Sequence, residues 1–543
     1  MAHRPALLRN AYFWAIIIPL LLGLPFLNKP FHIDDVSFLA VAHQIVAEPL
    51  YPHGRPGEGG KPDGLFQISS SPLISYYYAM ILRQFGDSEV ILHTGMLLFL
   101  VIFSLATVSL AFRFTGNGWW PMLFLASSPA VVASSNLMMD IPAAALATAA
   151  AAIFIHGSDS RDWRFVLLAG LVAGLGVLAK YSAIVVFPPL VLYAVFRNRV
   201  VYILGLATAI VPVGAWFVQN LMVYKITHVQ YLMALEPQAT TWLYDTLNAL
   251  VIIGSCSFIA IALVPVMFVK RCWLPLCLGS VGALLALFIL GVVQEKTQYA
   301  IWCAFGLVTL VFVGWGVAPP TLAATTRVSR YPLTIFSPQQ RDDLFLLFWL
   351  VCILLFSIFQ VYFQAVRHLI PALVPLNLLL FRTRVSRQLA EGDFAKGCLV
   401  FVLLLQTGTA LWVGKADYAY ADSYRSFVQG FTDAQANDPA KIWFVGDWGF
   451  LYYAERAGWR RLKKDGSEPT PGDLLVIPDK VSRRPYPSGT RSSLEQVFTY
   501  PNHYRLLTMD RFTGASFYAS VGYRAPYFIS GESLETFRVY RVL

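Results

Sequence analysis

From residue 11 to residue 413 the chain is a succession of long apolar runs, cut by short charged or Pro/Gly-rich segments. A helix needs ~20 apolar residues to cross the hydrocarbon core of a bilayer, and most of these runs approach that length. The breaks predict thirteen membrane spans, at 11–28, 90–112, 119–135, 139–156, 165–179, 181–196, 200–221, 246–269, 272–293, 298–318, 344–364, 368–382 and 397–413. Three of them (165–179, 181–196 and 368–382) are short and are expected to be half-buried or strongly bent. Residues 29–89 form a long loop after the first span. It holds an amphipathic helix near 36–48, the turn region YPHGRPGEGGKPDG and a second helix from Pro72 to Phe85. Helices of this kind lie along a membrane surface. Residues 222–245 make another loop on the same side, and 319–343 the longest on the other. After Trp412 the pattern changes. KIWFVGD reads as a buried strand, GFLYYAERAG as a helix closed by Gly458, and DLLVIPD as a second strand. The expectation is an all-α polytopic membrane domain over residues 1–413 and a small α/β soluble domain over 414–543.

Composition agrees with the pattern. The 543 residues are 57% hydrophobic and 13% charged, against about 25% charged in soluble domains. The first apolar run is followed by LNKPFHIDD rather than a small-residue cleavage site, so it reads as a span and not a signal peptide. All six cysteines fall in or at the ends of predicted spans and read as small core hydrophobes, with no disulfide framework. Lys and Arg are in excess on the side holding the N-terminus, which places that side in the cytoplasm. An odd number of spans then puts the C-terminal domain outside. The net charge of +10 is mostly a product of this topology and calls for no nucleic acid. No transporter-type repeat is visible, which counts against a secondary transporter.

The ionisable residues near the spans gather at the outer face. In FHIDDVSFLAVAHQ, Asp34 and Asp35 stand at the start of a helix, where capping needs only one carboxylate. Asp140 lies at the turn between the third and fourth spans, Lys180 between the fifth and sixth, and Arg367 with His368 ahead of the twelfth. Helix starts, interfacial lysines and lipid-phosphate contacts account for each residue singly. His32, His43 and His228 lack a paired spacing and read as interfacial polar groups rather than metal ligands. Together, carboxylates and cations at one face suit transfer of a group carried on a lipid phosphate. A carboxylate takes the acceptor's proton, and Lys or Arg neutralises the departing phosphate.

In the order and spacing of FHIDDVSFLAVAHQI, SSSPLISYYYAMILRQFGDSEVILH, MMDIPAAALATAA, GLGVLAKYSAIVVFPPLVLY and RHLIPALVPLNLL, the chain resembles the GT-C glycosyltransferases that use polyprenyl-phosphate sugars. The protein O-mannosyltransferase and aminoarabinose transferase branches are nearest, and the resemblance runs over most of residues 11–413. It implies that Asp34 is the base or orients the acceptor, with Asp35, expected to be catalytic beside it, standing where the family usually has Glu. It implies that Asp140 is the second acidic position, and that Lys180 and Arg367 contact the donor phosphate with His368 beside them. Relatives often read His-Pro-Pro or Lys-Pro-Pro where this chain has Ser70-Ser71-Pro72. The resemblance implies that this position touches the donor phosphate, so that another group, His32 or Arg55, makes the contact here. The tail WFVGDWGFLYYAERAG resembles external domains of some bacterial members, where acceptor recognition and a lid on the membrane domain are both open roles.

The sequence thus points to an inverting lipid-linked sugar transferase of a bacterial cytoplasmic membrane, active on its outer face. Its expected partners are a polyprenyl-phosphate sugar, a lipid, glycan or protein acceptor, and membrane lipids. No cofactor is called for. The gathered acids leave room for a divalent cation, but no ligand motif demands one. The alternatives are a transporter or flippase of a lipid-linked envelope precursor and a non-catalytic scaffold.

Overall fold

A computed structural model describes residues 4–57, 64–235 except 69, 242–261 except 260, 295–322, 336–382 except 362, 393–436, 440–462, 468–481, 491–510, 515–519 and 524–543. Among these, six helices are long and apolar enough to cross a membrane: Glu89–Thr115, Asp140–Ser160, Val200–Tyr224, Lys296–Gly314, Pro338–Gln360 and Lys396–Ala434. Shorter apolar helices cover Asn10–Phe26, Trp163–Ala179 and Tyr181–Phe196. The protein is a multi-pass, all-α membrane protein with a small strand-containing domain at its C-terminal end. The predicted span 272–293 lies outside the described residues, as does most of the inner loop 319–343.

Several predicted spans are broken, each for a local reason. In 119–135 the helix Trp119–Ala126 stops, and a second turn, Pro129–Ala133, restarts where the Ser128 hydroxyl accepts the Ala130 N–H. Proline at the first helical position suits such a restart. The short spans 181–196 and 368–382 open as 3-10 turns, Tyr181–Val186 and Val366–Ala372, before continuing as Phe187–Phe196 and Leu373–Arg382. Lys180 immediately precedes the first turn and Arg367 lies at the start of the second. Elsewhere small residues let backbones touch. A Cβ on Gly254 would collide with the Trp302 carbonyl, and one on Gly306 with the Leu250 carbonyl. This seats the Trp242–Cys256 helix directly on Glu295–Leu322, the kind of contact small residues permit in membranes.

The last membrane helix does not end at residue 413. It runs unbroken as Asp393–Ala434, so the change in composition falls in mid-helix. Beyond it lie β1 (Ile442–Phe444), the helix Trp448–Arg456, β2 (Arg460–Arg461), β3 (Leu474–Pro478), β4 (Ser492–Tyr500), β5 (Leu506–Leu507), β6 (Phe528–Ile529) and β7 (Glu535–Val542). The main sheet has the order β2-β1-β3-β7-β4, with β1 parallel to β2 and β3, and β7 antiparallel to β3 and β4. The predicted strands and helix are β1, β3 and Trp448–Arg456. Gly458 closes that helix with φ +82.

This C-terminal domain is keyed into the membrane domain. Phe31 N–H donates to the Tyr453 hydroxyl at 2.9 Å, and a Cβ on Gly449 would collide with the Phe31 carbonyl. Val366 N–H donates to Phe517 O, and Gln298 exchanges two hydrogen bonds with the Ile529 backbone. At the centre, fully buried, Lys29 Nζ lies 2.6 Å from Asp417 Oδ2. Tyr518 donates to the same oxygen at 2.5 Å, and Thr508 to Asp417 Oδ1 at 2.7 Å.

Candidate active site

The turn before the first-loop helix decides what each of its two carboxylates can do. Ile33 takes a left-handed conformation, φ +52, which is rare for a β-branched side chain. The helix Asp35–Ala47 starts immediately after, and the Asp34 side chain makes no capping hydrogen bond. Asp35 is buried, and both of its oxygens are used. Oδ2 accepts the His32 N–H and Oδ1 the Leu137 N–H, each at 2.9 Å. It pins the first loop to the turn ahead of Asp140. Asp34 points the other way, its side chain 40% exposed, with Arg367 Nη2 at 3.2 Å from Oδ2.

Arg367 continues the chain. Its Nε lies 3.6 Å from Asp140 Oδ2, and Lys180 Nζ lies 2.6 Å from Asp140 Oδ1. Asp140 opens the Asp140–Ser160 helix, and Lys180 ends Trp163–Ala179. Arg367 sits in the Val366–Ala372 turn against the Phe363 ring. Four elements distant in sequence thus assemble the row Asp34–Arg367–Asp140–Lys180, with its two positive and two negative charges alternating. The Ser71 hydroxyl, in the segment where relatives differ, donates to Leu178 O and ties the first loop to the stretch leading to Lys180.

All four residues, with His368, line a cavity of about 1110 Å³. One wall is apolar, with Trp349, Ile353 and Phe356 from Pro338–Gln360. Tyr244, Asp245 and Asn248 come from Trp242–Cys256, and Trp448, Met509 and Tyr518 from the C-terminal domain. A roomy, mostly apolar site with a few converging polar groups is what a lipid-linked ligand requires.

His32 and Arg55 do not line this cavity. His32 is buried among the rings of Tyr420, Tyr424 and Tyr518, 3.7 Å from Asp417. Burial holds its imidazole near 3, so it is uncharged at neutral pH and lends no positive charge to a phosphate. Arg55 is exposed and paired with Glu48 at 2.9 Å. Among the described residues no three His, Cys, Asp or Glu side chains are grouped to hold a metal ion, and Arg367 already bridges the space between Asp34 and Asp140. Sequence reasoning missed Asp245, Trp448 and Tyr518. Asp245 lies one residue before a predicted span, and the other two belong to a domain whose docking no local pattern announces. Trp448, with φ +59, is a second bulky residue held left-handed at this site, beside the Gly449 contact with Phe31.

The family model of dolichyl-phosphate-mannose-protein mannosyltransferases matches residues 69–218, a segment that includes Asp140 and Lys180. Over this segment the resemblance to GT-C glycosyltransferases is borne out. No curated protein matches the chain by sequence. Among solved structures, ArnT from Cupriavidus metallidurans bound to undecaprenyl phosphate is similar at 12% identity and TM-score 0.48, over 86% of this chain and 93% of that one. The same protein in the apo state gives 11% identity and TM-score 0.46, over 86% and 92%. The oligosaccharyltransferase of Archaeoglobus fulgidus gives 13% identity and TM-score 0.43, over 83% of this chain and 63% of that one.

Proposed function

We propose that the protein is an inverting glycosyltransferase that moves a sugar from a polyprenyl-phosphate donor to an acceptor hydroxyl or amine. It works at the outer face of a bacterial cytoplasmic membrane. The observation that carries the reading is the row Asp34–Arg367–Asp140–Lys180 along one cavity with an apolar wall. The prenyl chain lies along that wall, and the phosphate meets Arg367 and Lys180. The acceptor attacks C1 of the sugar from the face opposite the phosphate. Its proton passes to Asp34, and the C1–O bond breaks with its electron pair going to the phosphate. The two cations stabilise the charge that develops there. Asp140, paired with both cations, holds them in place and partly neutralises them until the donor arrives.

Arg367 links the two halves of this chemistry. While it pairs with Asp34, a carboxylate oxygen is held by the guanidinium at 3.2 Å and is not free to meet the acceptor. A donor phosphate competes for the guanidinium, so binding the donor frees Asp34 for the acceptor. The test is transfer of labelled sugar from a panel of polyprenyl-phosphate sugars to a membrane extract by purified protein, with Asp34→Asn alongside. Transfer by wild type and loss of ~10²-fold or more in the variant are expected. Full activity of Asp34→Asn contradicts the assignment of the base.

A further inference from the structure

Asp245 is the cavity carboxylate that the row of ion pairs leaves out. It is 5% exposed, lines the cavity, and makes no hydrogen bond or ion pair with the described residues. Asp34 and Asp140 are balanced by Arg367 and Lys180. Asp245 has no such counter-charge among the described residues, and a buried carboxylate without a partner costs stability. Retention of such a group at a cavity wall is the usual mark of a residue kept for a ligand.

Its neighbours narrow the ligand. Asn248 follows at three residues on the same helical face, and its Oδ1 accepts a hydrogen bond from Tyr299 at 2.9 Å, which orients the amide. The helix Trp242–Cys256 packs on the Val366–Ala372 turn and on Pro338–Gln360, so it flanks the side of the cavity that holds Arg367. In the donor reading, on which this inference rests, the sugar is one bond from the phosphate. The group within reach of Asp245 is then the ring of the donor sugar rather than the acceptor. A carboxylate is an acceptor-only group that takes two hydrogen bonds, a match for adjacent sugar hydroxyls.

We infer that Asp245, with Asn248, is a recognition subsite for hydroxyl groups of the sugar carried by the donor. The test measures binding of undecaprenyl phosphate and of undecaprenyl-phosphate hexoses and pentoses to purified wild type, Asp245→Asn and Asp245→Ala. Affinity for the best sugar-bearing probe is expected to fall ~10- to 100-fold in Asp245→Ala, the range for hydrogen bonds to a charged group. Affinity for bare undecaprenyl phosphate is expected to stay within about twofold of wild type. The melting temperature of Asp245→Asn is expected to be unchanged or raised, because the substitution removes an uncompensated buried charge. Sugar-bearing probes bound equally by wild type and variants overturn the subsite alone. So does an effect confined to the acceptor's KM, or a clear fall in melting temperature. Wild type that binds no undecaprenyl-phosphate compound overturns the donor reading and the subsite with it.

Discussion

Two groups of charges sit only a few side chains apart and use the same chemistry to opposite ends. In the Lys29–Asp417 node every oxygen of the carboxylate has its donor, from Lys29, Tyr518 and Thr508, and both charged side chains are almost wholly out of water. In the row Asp34–Arg367–Asp140–Lys180 only the Lys180–Asp140 contact is as short, at 2.6 Å; the two made by Arg367 are 3.2 and 3.6 Å, and the groups line an open cavity. A saturated, dry ion pair has no capacity left for a ligand. It fixes geometry. A half-satisfied pair beside a cavity can exchange partners when an anion enters. Tyr518 belongs to both, bonded to Asp417 and lining the cavity, so the C-terminal domain is fastened at the point where it completes the cavity wall. Acceptor recognition and packing on the membrane domain are thus compatible roles for this domain.

The contrast breaks most visibly at Lys29. Lys29→Met leaves Asp417 buried without its cation and is expected to destabilise the folded protein by ~3 kcal/mol or more. Thermal unfolding in detergent reads this out, and a near-wild-type melting curve would mean the node is not what fastens the C-terminal domain. Tyr518→Phe is expected to act on both regions at a smaller scale. Loss of one hydrogen bond to a charged group costs ~1–3 kcal/mol in the same melt, and sugar transfer falls with it because the cavity wall loosens. A loss of stability with unchanged transfer would separate the two regions. At the other end of the scale, Arg55→Ala removes an exposed pair remote from the cavity. Melting and transfer are both expected at wild-type level, and a loss of transfer would return Arg55 to the phosphate site.

Asp34, Asp140, Lys180 and Arg367 were legible in the sequence because each interrupts an apolar run, where an ionisable residue is costly and conspicuous. Counting Lys and Arg assigned all four to one side of the membrane, and that was enough to group them. The division of labour between Asp34 and Asp35 was not legible. It depends on the Ile33 turn and on the Leu137 N–H, which is 102 residues away. Lys29 and Asp417 stand 388 residues apart, and nothing local in either suggests the other. His32 and Arg55 were placed at the phosphate by elimination, an inference with no spatial content. Asp245 sits at the edge of a predicted span, where a carboxylate looks like an ordinary loop end. The outer helix shows the limit of composition. Polarity changes near residue 413, yet i to i−4 hydrogen bonding carries Asp393–Ala434 straight through.

The central claim is that neighbouring carboxylates were sorted by the fold, Asp34 for chemistry and Asp35 for structure. Asp34→Asn and Asp35→Asn, each measured for sugar transfer and for melting temperature in the same preparation, test it most directly. Asp34→Asn is expected to lose transfer while melting like wild type. Asp35→Asn is expected to be less stable, by the ~1–3 kcal/mol of a buried N–H left facing a donor, and to lose transfer only in proportion to unfolding. A stable Asp35→Asn without activity, beside an active Asp34→Asn, would exchange the two roles and contradict the account.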